Sequence, residues 1–232
     1  MSFAEALEAT WPPAETLAFG PFVLRRGAGG GKRVSAANRT GAFTAEDIAR
    51  AEAAMQDWGQ EKLFVIWPGD EALDQALDAR GYRVIDPVLA YEGTLPLSPP
   101  PHMATFPHWP PMQIACDLWA EAHIGPGRLA VMERVKGPKA VILARSDDKP
   151  SGAGFVAVHG ATAMIHAVEV RPAMRRRGAG RHILLAAAAF AAEHGARTLA
   201  LAVTEGNSAA RALYSSLGMQ VVGQYHYRIQ EP

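Results

Sequence analysis

A chain of 232 residues with an apolar fraction of 49% has the material for one large domain or two small ones around a true core, which excludes extended disorder. Lys plus Arg and Asp plus Glu number 23 each, so no overall field favours nucleic acid or an anionic membrane, and any anion site has to be local. Cys116 is the single cysteine, which excludes an internal disulfide framework and a multi-cysteine metal cluster, and no metal is expected.

In chain order, the opening stretch MSFAEALEATWPPAE carries acidic residues and no basic start before an apolar run, unlike a signal peptide. The Ala-rich run Ile183 to Ala192 is about half of what a bilayer crossing needs, so a cytoplasmic protein, monomer or homodimer, is expected. Gly27 to Lys32, GAGGGK, lacks phosphate-loop spacing and lies between strand-like runs, which predicts a hairpin loop. Lys62 to Tyr82 reads as a strand, a helix capped at Asp70, a glycine and a further strand. Leu95 to Pro111 carries seven of the 17 prolines and reads as a linker between an N-terminal half-domain at 1–94 and a second domain at 112–232.

Beyond the linker, the periodicity predicts helices near Ile114 to His123 and Arg128 to Val135, then strands near Lys139 to Arg145, Gly152 to His159 and Thr162 to Val170. Cys116 falls in the first of these helices and is expected to be a buried structural thiol. A helix near Gly180 to His194 and a strand at Thr198 to Val203 follow, then a helix opened by Asn207, with Ala210, Leu213, Tyr214 and Leu217 on one face. Gly218 ends that helix, and Met219 to Arg228 reads as the last strand.

The first half partly repeats the second at a constant shift of 137 residues, which carries Gly41 onto Gly178, Gly81 onto Gly218, Asp70 onto Asn207 and Leu77 onto Tyr214.

The stretch with most chemical content is Val-x-Pro-x-x-Arg-x-x-Gly-x-Gly, from Val170 to Gly180. Gly178 and Gly180 let successive amides converge on one point, and the helix that follows contributes free donors and a positive dipole end. Arg175, Arg176, Arg177 and Arg181 add charge there, so the expected guest is a diphosphate. This spacing resembles the acetyl-coenzyme A signature of the GNAT (GCN5-related N-acetyltransferase) superfamily, [Gln/Arg]-x-x-Gly-x-[Gly/Ala]. The stretch from Asn207 through Ala210, Tyr214 and Gly218 to Met219 resembles the superfamily's N-x-x-A-x-x-x-Y-x-x-x-G-[FM] helix.

The resemblance covers about 130 residues, from about Met103 on, and implies an α/β fold (α+β by some schemes) with a mixed, mostly antiparallel central sheet flanked by helices. Under it the smaller N-terminal α/β half is a degenerate partial GNAT repeat, missing the first arginine and last glycine of the turn and with Leu77 in place of tyrosine. It is expected to bind no coenzyme A. The implied reaction is direct transfer of an acetyl group from acetyl-coenzyme A to an unidentified primary amine in a ternary complex.

The implied cofactor-binding residues are Val168 and Val170, through backbone groups of a strand splayed from its neighbour, the turn and helix start Arg175, Arg176, Arg177, Gly178, Ala179, Gly180 and Arg181, and Asn207, Ala210 and Tyr214. Asn207 also reads as a helix N-cap. Tyr214 matches the family's general acid. For the base, His166 is the first candidate, expected to share a strand face with Val168 and Val170, and Glu169, on the other face, is the second. The alternative readings are a non-catalytic acyl-coenzyme A binding or sensing module and an acyltransferase that uses a different acyl donor.

Overall fold

In the computed structural model, which describes residues 2–230, helix α1 (Phe3–Thr10) is started by a capping box in which Ser2 and Glu5 exchange side-chain-to-backbone hydrogen bonds. Ala6 and Leu7 are buried, and the helix packs on strands from the C-terminal half. The chain accordingly divides along lines that its sequence order does not follow. The residues up to Pro12, Ala90–Val203 and Asn207–Val222 form a larger unit, while Pro13–Leu89, Thr204–Gly206 and the residues from Gly223 on form a smaller one.

The smaller unit begins with an antiparallel hairpin of β1 (Glu15–Phe19) and β2 (Phe22–Arg26), to which β3 (Asn38–Arg39) adds antiparallel. Gly27 to Lys32 lies in the connection from β2 to its antiparallel neighbour β3, a long hairpin loop. Then come α2 (Ala45–Asp57), β4 (Lys62–Ile66), α3 (Glu71–Asp78) and β5 (Arg83–Thr94), the last of which leaves this unit after Leu89. Strand β4 pairs antiparallel with residues 226–230 of the chain's final strand. Phe22, Leu24, Ile48, Met55, Phe64, Leu73 and Leu77 fill the core between these elements. Asp70 occupies the N-cap position of α3 without capping it, because its carboxylate is drawn to Arg39 Nε at 2.5 Å and to the Trp67 amide at 3.1 Å.

The larger unit continues with β6 (Thr105–His108), an edge strand inside the stretch expected to be a linker, a place where the sheet tolerates Pro107. It is followed by α4 (Gln113–Glu121), α5 (Pro126–Arg134), β7 (Lys139–Ser146), β8 (Lys149–His159), β9 (Thr162–Val170), α6 (Ala179–Glu193), β10 (Thr198–Thr204), α7 (Ser208–Ser216) and β11 (Gln220–Gln230). These match the expected order α, α, β, β, β, α, β, α, β. Strands β6 to β9 pair antiparallel in sequence and β9 pairs parallel with β10, after which the sheet is extended by Ala90–Thr94 of β5 and Gln220–Val222 of β11. This is a mixed, mostly antiparallel sheet with helices on both sides. α6 packs on β7, β8 and β9, while α1 and α4 pack on β8 and β9. Adjacent residues of β8 divide those faces, since Gly154 meets Ile183 of α6 and Phe155 meets Trp11 at the end of α1. Cys116, expected to be buried, is only half-buried on α4, and partial burial, then the neighbouring Asp117, pushes its thiol up.

The repeat is visible in the elements themselves, strand, helix, glycine and long strand in each half. The 137-residue shift carries Arg83, which opens β5, onto Gln220, which opens β11, and Gly81 and Gly218 precede them with φ of 81° and 79°.

Candidate active site

The site is built where β9 stops pairing. Its parallel register with β10 runs from Thr198↔Thr162 to Ala200↔Met164 and ends, so the C-terminal two thirds of β9 diverges from β10. On the other edge a bulge interrupts the ladder with β8, whose register jumps from Phe155↔His166 to Ala153↔Glu169. Ala167 takes φ 50° inside the bulge, and its carbonyl accepts a 2.8 Å hydrogen bond from Trp119 Nε1 of α4. Gly152 allows the strand to approach closely here, since a Cβ on it would stand 2.4 Å from the Glu169 carbonyl oxygen.

The bulge also changes which side chains share a face. Ile165 and Val168 both reach the space beside Gly154 on the α6 side, and Val170 Cγ2 approaches Gly180 of α6. His166 therefore does not share a face with Val168 and Val170, contrary to strict alternation. Its Nε2 is 2.9 Å from Thr10 Oγ1, its ring lies 4.9 Å from that of Trp11 and 6.4 Å from that of Phe155, and it is 3% exposed. Glu169 lies on that same side, lining a cavity with Glu121 of α4 and Arg175. Burial holds the Glu169 carboxyl above the usual carboxylate range, opposed by Arg175 and Arg128.

After β9 the chain turns through Pro172–Met174 to Gly178, which sits at the N-cap of α6 with φ 85° and no side-chain cap. Its left-handed conformation favours glycine, and a Cβ would lie 3.2 Å from the His182 ring. His182 makes the first bond back into the turn, donating its amide to the Gly178 carbonyl, so the amides of Ala179, Gly180 and Arg181 come before the first intrahelical donor and have no acceptor within the helix. The side chains of Arg176 and Arg181 are exposed, and that of Arg177 pairs with Asp147. Arg175 Nε donates to the Val170 carbonyl at 3.2 Å. These features make an uncapped helix start with free donors and positive charge at the mouth of a splayed strand pair, which fits a diphosphate followed by an extended arm.

On the other flank, Asn207 caps α7, its side chain accepting from the Ala210 amide at 3.1 Å. Tyr214 is 7% exposed, and its ring stands edge-on to Tyr91 at 5.6 Å. Burial first, then the charge of Glu169 and Tyr91, pushes its phenol up to about 12.

Sequence reasoning missed Trp119, which holds the bulge, Thr10 and Trp11, which enclose His166, and Tyr91. A tryptophan in a short helix gives no sign of the carbonyl it will reach, and Thr10, Trp11 and Tyr91 come from segments expected in the other half. Arg171 was within the motif, yet its bidentate pair with Glu121, at 2.9 and 2.7 Å, depends on α4 lying alongside.

The equivalent region of the smaller unit is closed by its own side chains. α2 starts with a capping box in which Thr44 and Asp47 satisfy each other's backbone amides. Arg39 is held by Asp70 and by the Gly69 carbonyl at 2.8 Å.

Among the described residues no group of three or more His, Cys, Asp or Glu is placed to hold a metal ion, and no helix is long and apolar enough to cross a membrane.

The acetyltransferase (GNAT) family profile matches residues 107–219. The whole fold is similar to that of a GCN5-related N-acetyltransferase from Kribbella flavida, at 17% identity and TM-score 0.72, covering 99% of this chain and 94% of that one. It is also similar to a functionally unknown conserved protein from Staphylococcus epidermidis, at 11% identity and TM-score 0.70, covering 100% and 98%. A tandem GNAT protein from the clavulanic acid biosynthesis pathway matches at 14% identity and TM-score 0.62, covering 98% and 87%. At these identities the likeness is one of fold. No curated protein matches in sequence.

Proposed function

Residues 107–219 belong to the acetyltransferase (GNAT) family, and from that premise we propose that the protein transfers an acetyl group from acetyl-coenzyme A directly to a primary amine, with Glu169 as base and Tyr214 as acid. The observation that carries the reading is the coincidence of the β9–β10 splay, the bulge at Ala167 and the uncapped start of α6. When bound, acetyl-coenzyme A supplies the activated acyl group. The amides of Gly178 to Arg181 would hold its diphosphate, and the free backbone edge of Val168 and Val170 would orient the arm. Arg175 would leave the Val170 carbonyl as that arm enters, since the two compete for one acceptor.

The proton chemistry falls to two residues. Once the ammonium has given one proton to solvent, Glu169 accepts the proton that the neutral amine loses as its nitrogen bonds to the acyl carbon, and Tyr214 Oη gives a proton to the sulfur as the C–S bond breaks. The proton gained by Glu169 balances the one lost by Tyr214, so exchange between them or with solvent restores both. His166 is assigned a packing role, because Thr10, Trp11 and Phe155 enclose it. The test is release of free thiol from acetyl-coenzyme A in the presence of pooled primary amines. Calorimetric binding of acetyl-coenzyme A without thiol release from any amine would instead support a sensing module.

A further inference from the structure

The cavity beside Glu169 holds about 120 Å³ and is lined on one wall by Leu118, Glu121 and Ala122, on the other by Glu169, Arg171 and Arg175. That is the share of about four waters in the liquid, enough for the head of a small molecule and too little for a long chain. Its four charges are not equivalent. Arg171 and Glu121 neutralise one another through a bidentate pair. Glu169 and Arg175 make no ion pair with another side chain among the described residues, the only hydrogen bond of Arg175 being to the Val170 backbone.

A second cation stands near. Arg128 is within electrostatic reach of Glu169, half-exposed, and without a carboxylate partner among the described residues. It occupies the first turn of α5, whose N-cap Gly125 offers no side-chain cap, so the positive end of that helix adds to its field. The unpaired Arg175 on the cavity wall, reinforced by the field of Arg128, repels a simple amine, which arrives as a cation, and repels a polyamine more strongly. Both suit an acceptor that brings its own negative charge.

We propose that the acceptor is an amine carrying a carboxylate close to its nitrogen, an amino-acid head group, with the nitrogen at Glu169 and the carboxylate at Arg175, in the field of Arg128. The assignment rests on the reading of Glu169 as the base. Guanidinium forks match a carboxylate's geometry, whereas an amide or ester in its place brings no charge.

The test is calorimetric titration of the common α-amino acids, and of their amides, into protein saturated with coenzyme A, alongside thiol release from acetyl-coenzyme A with the same compounds. At least one amino acid should bind tenfold or more tighter than its amide. Arg128→Gln should shrink that ratio below threefold and Arg128→Lys should largely restore it, with thermal melts confirming that both variants fold. Binding of no amino acid, equal binding of acid and amide, or a ratio unmoved by Arg128→Gln overturns the proposal. If acetyl-coenzyme A itself fails to bind, the acetyltransferase reading falls as well, so the two failures are distinguishable.

Discussion

Trp119 Nε1 donates a 2.8 Å hydrogen bond to the carbonyl of Ala167, tying α4 to the one residue of β9 that turns its backbone to positive φ. The bulge that places Glu169 on the cavity side is thereby fixed from a neighbouring helix. Trp119→Phe keeps most of the ring's packing but removes the donor, leaving a carbonyl short of a partner at a cost of about 1–3 kcal/mol. The expected outcome is a modest fall in melting temperature with a larger loss of kcat, since β9 would be free to recover regular pairing. A variant with the stability loss but full kcat would show that the bulge does not position the site.

Gly178 carries the left-handed turn at the start of α6. Gly178→Ala imposes φ near 85° on a residue with a Cβ, at about 1–3 kcal/mol, and presses that Cβ on the His182 ring. Gly178→Glu adds a negative charge where the diphosphate would lie. Calorimetry should show weakened acetyl-coenzyme A binding in the first, none in the second, and a smaller loss in Arg176→Gln than in either. The reverse order would mean that arginine charge, not the amide cradle, holds the ligand.

The elements of the larger unit from α4 to β11 were legible in the sequence because each carries its own local signal. Ile183 to Ala191 give α6 a buried run, Asn207 caps α7, and Gly218 ends it in a left-handed turn. The placement of α1 was not legible, because Ala6 and Leu7 reveal an apolar face without naming the strands that cover it. Nor was the bulge at Ala167. Strict alternation put His166 with Val168, and one extra residue in a ladder reverses every face beyond it. The choice between His166 and Glu169 therefore depended on a backbone irregularity that no side-chain pattern announces.

Tyr214 is pushed up to about 12 chiefly by burial, so it keeps its proton throughout the neutral and mildly alkaline range. Tyr214→Phe should lower kcat by about 10²–10⁴-fold, the usual span for loss of a general acid, while acetyl-coenzyme A affinity changes little. Wild-type activity should show no alkaline fall from this group below about pH 10, an expectation that follows from its raised value. Unchanged kcat in Tyr214→Phe would leave Tyr214 as a packing residue beside Tyr91.

Glu169 is held above its ordinary value of 4.5 by burial, and it accepts a proton only when ionised. kcat at saturating acceptor should rise with pH on a limb above that value, and Glu169→Gln should remove the limb together with most of the rate. Stability runs the other way. A carboxyl whose pKa is higher in the folded than in the unfolded state favours folding at low pH, and that contribution is lost as pH rises through the folded value. At neutral pH Glu169→Gln should therefore melt no lower than wild type, and below the unfolded value any advantage should vanish. An inactive variant that also melts well below wild type at neutral pH would point to a structural carboxylate instead.

In the smaller unit, the turn that the 137-residue shift lays over the start of α6 is satisfied from within. Thr44 and Asp47 fill the start of α2, where α6 leaves its donors free, and Asp47 brings a negative charge to the point where a phosphate would need a positive one. Arg39, which the 137-residue shift carries onto Arg176, is drawn to Asp70 instead of standing exposed. Calorimetry should accordingly give one equivalent of acetyl-coenzyme A per chain. Asp47→Ala should lower stability, because the capping box loses its N3 partner, without creating a second equivalent, because the Arg39–Asp70 pair remains. Two equivalents in the wild type would mean that the capping box opens to a ligand and that both halves bind.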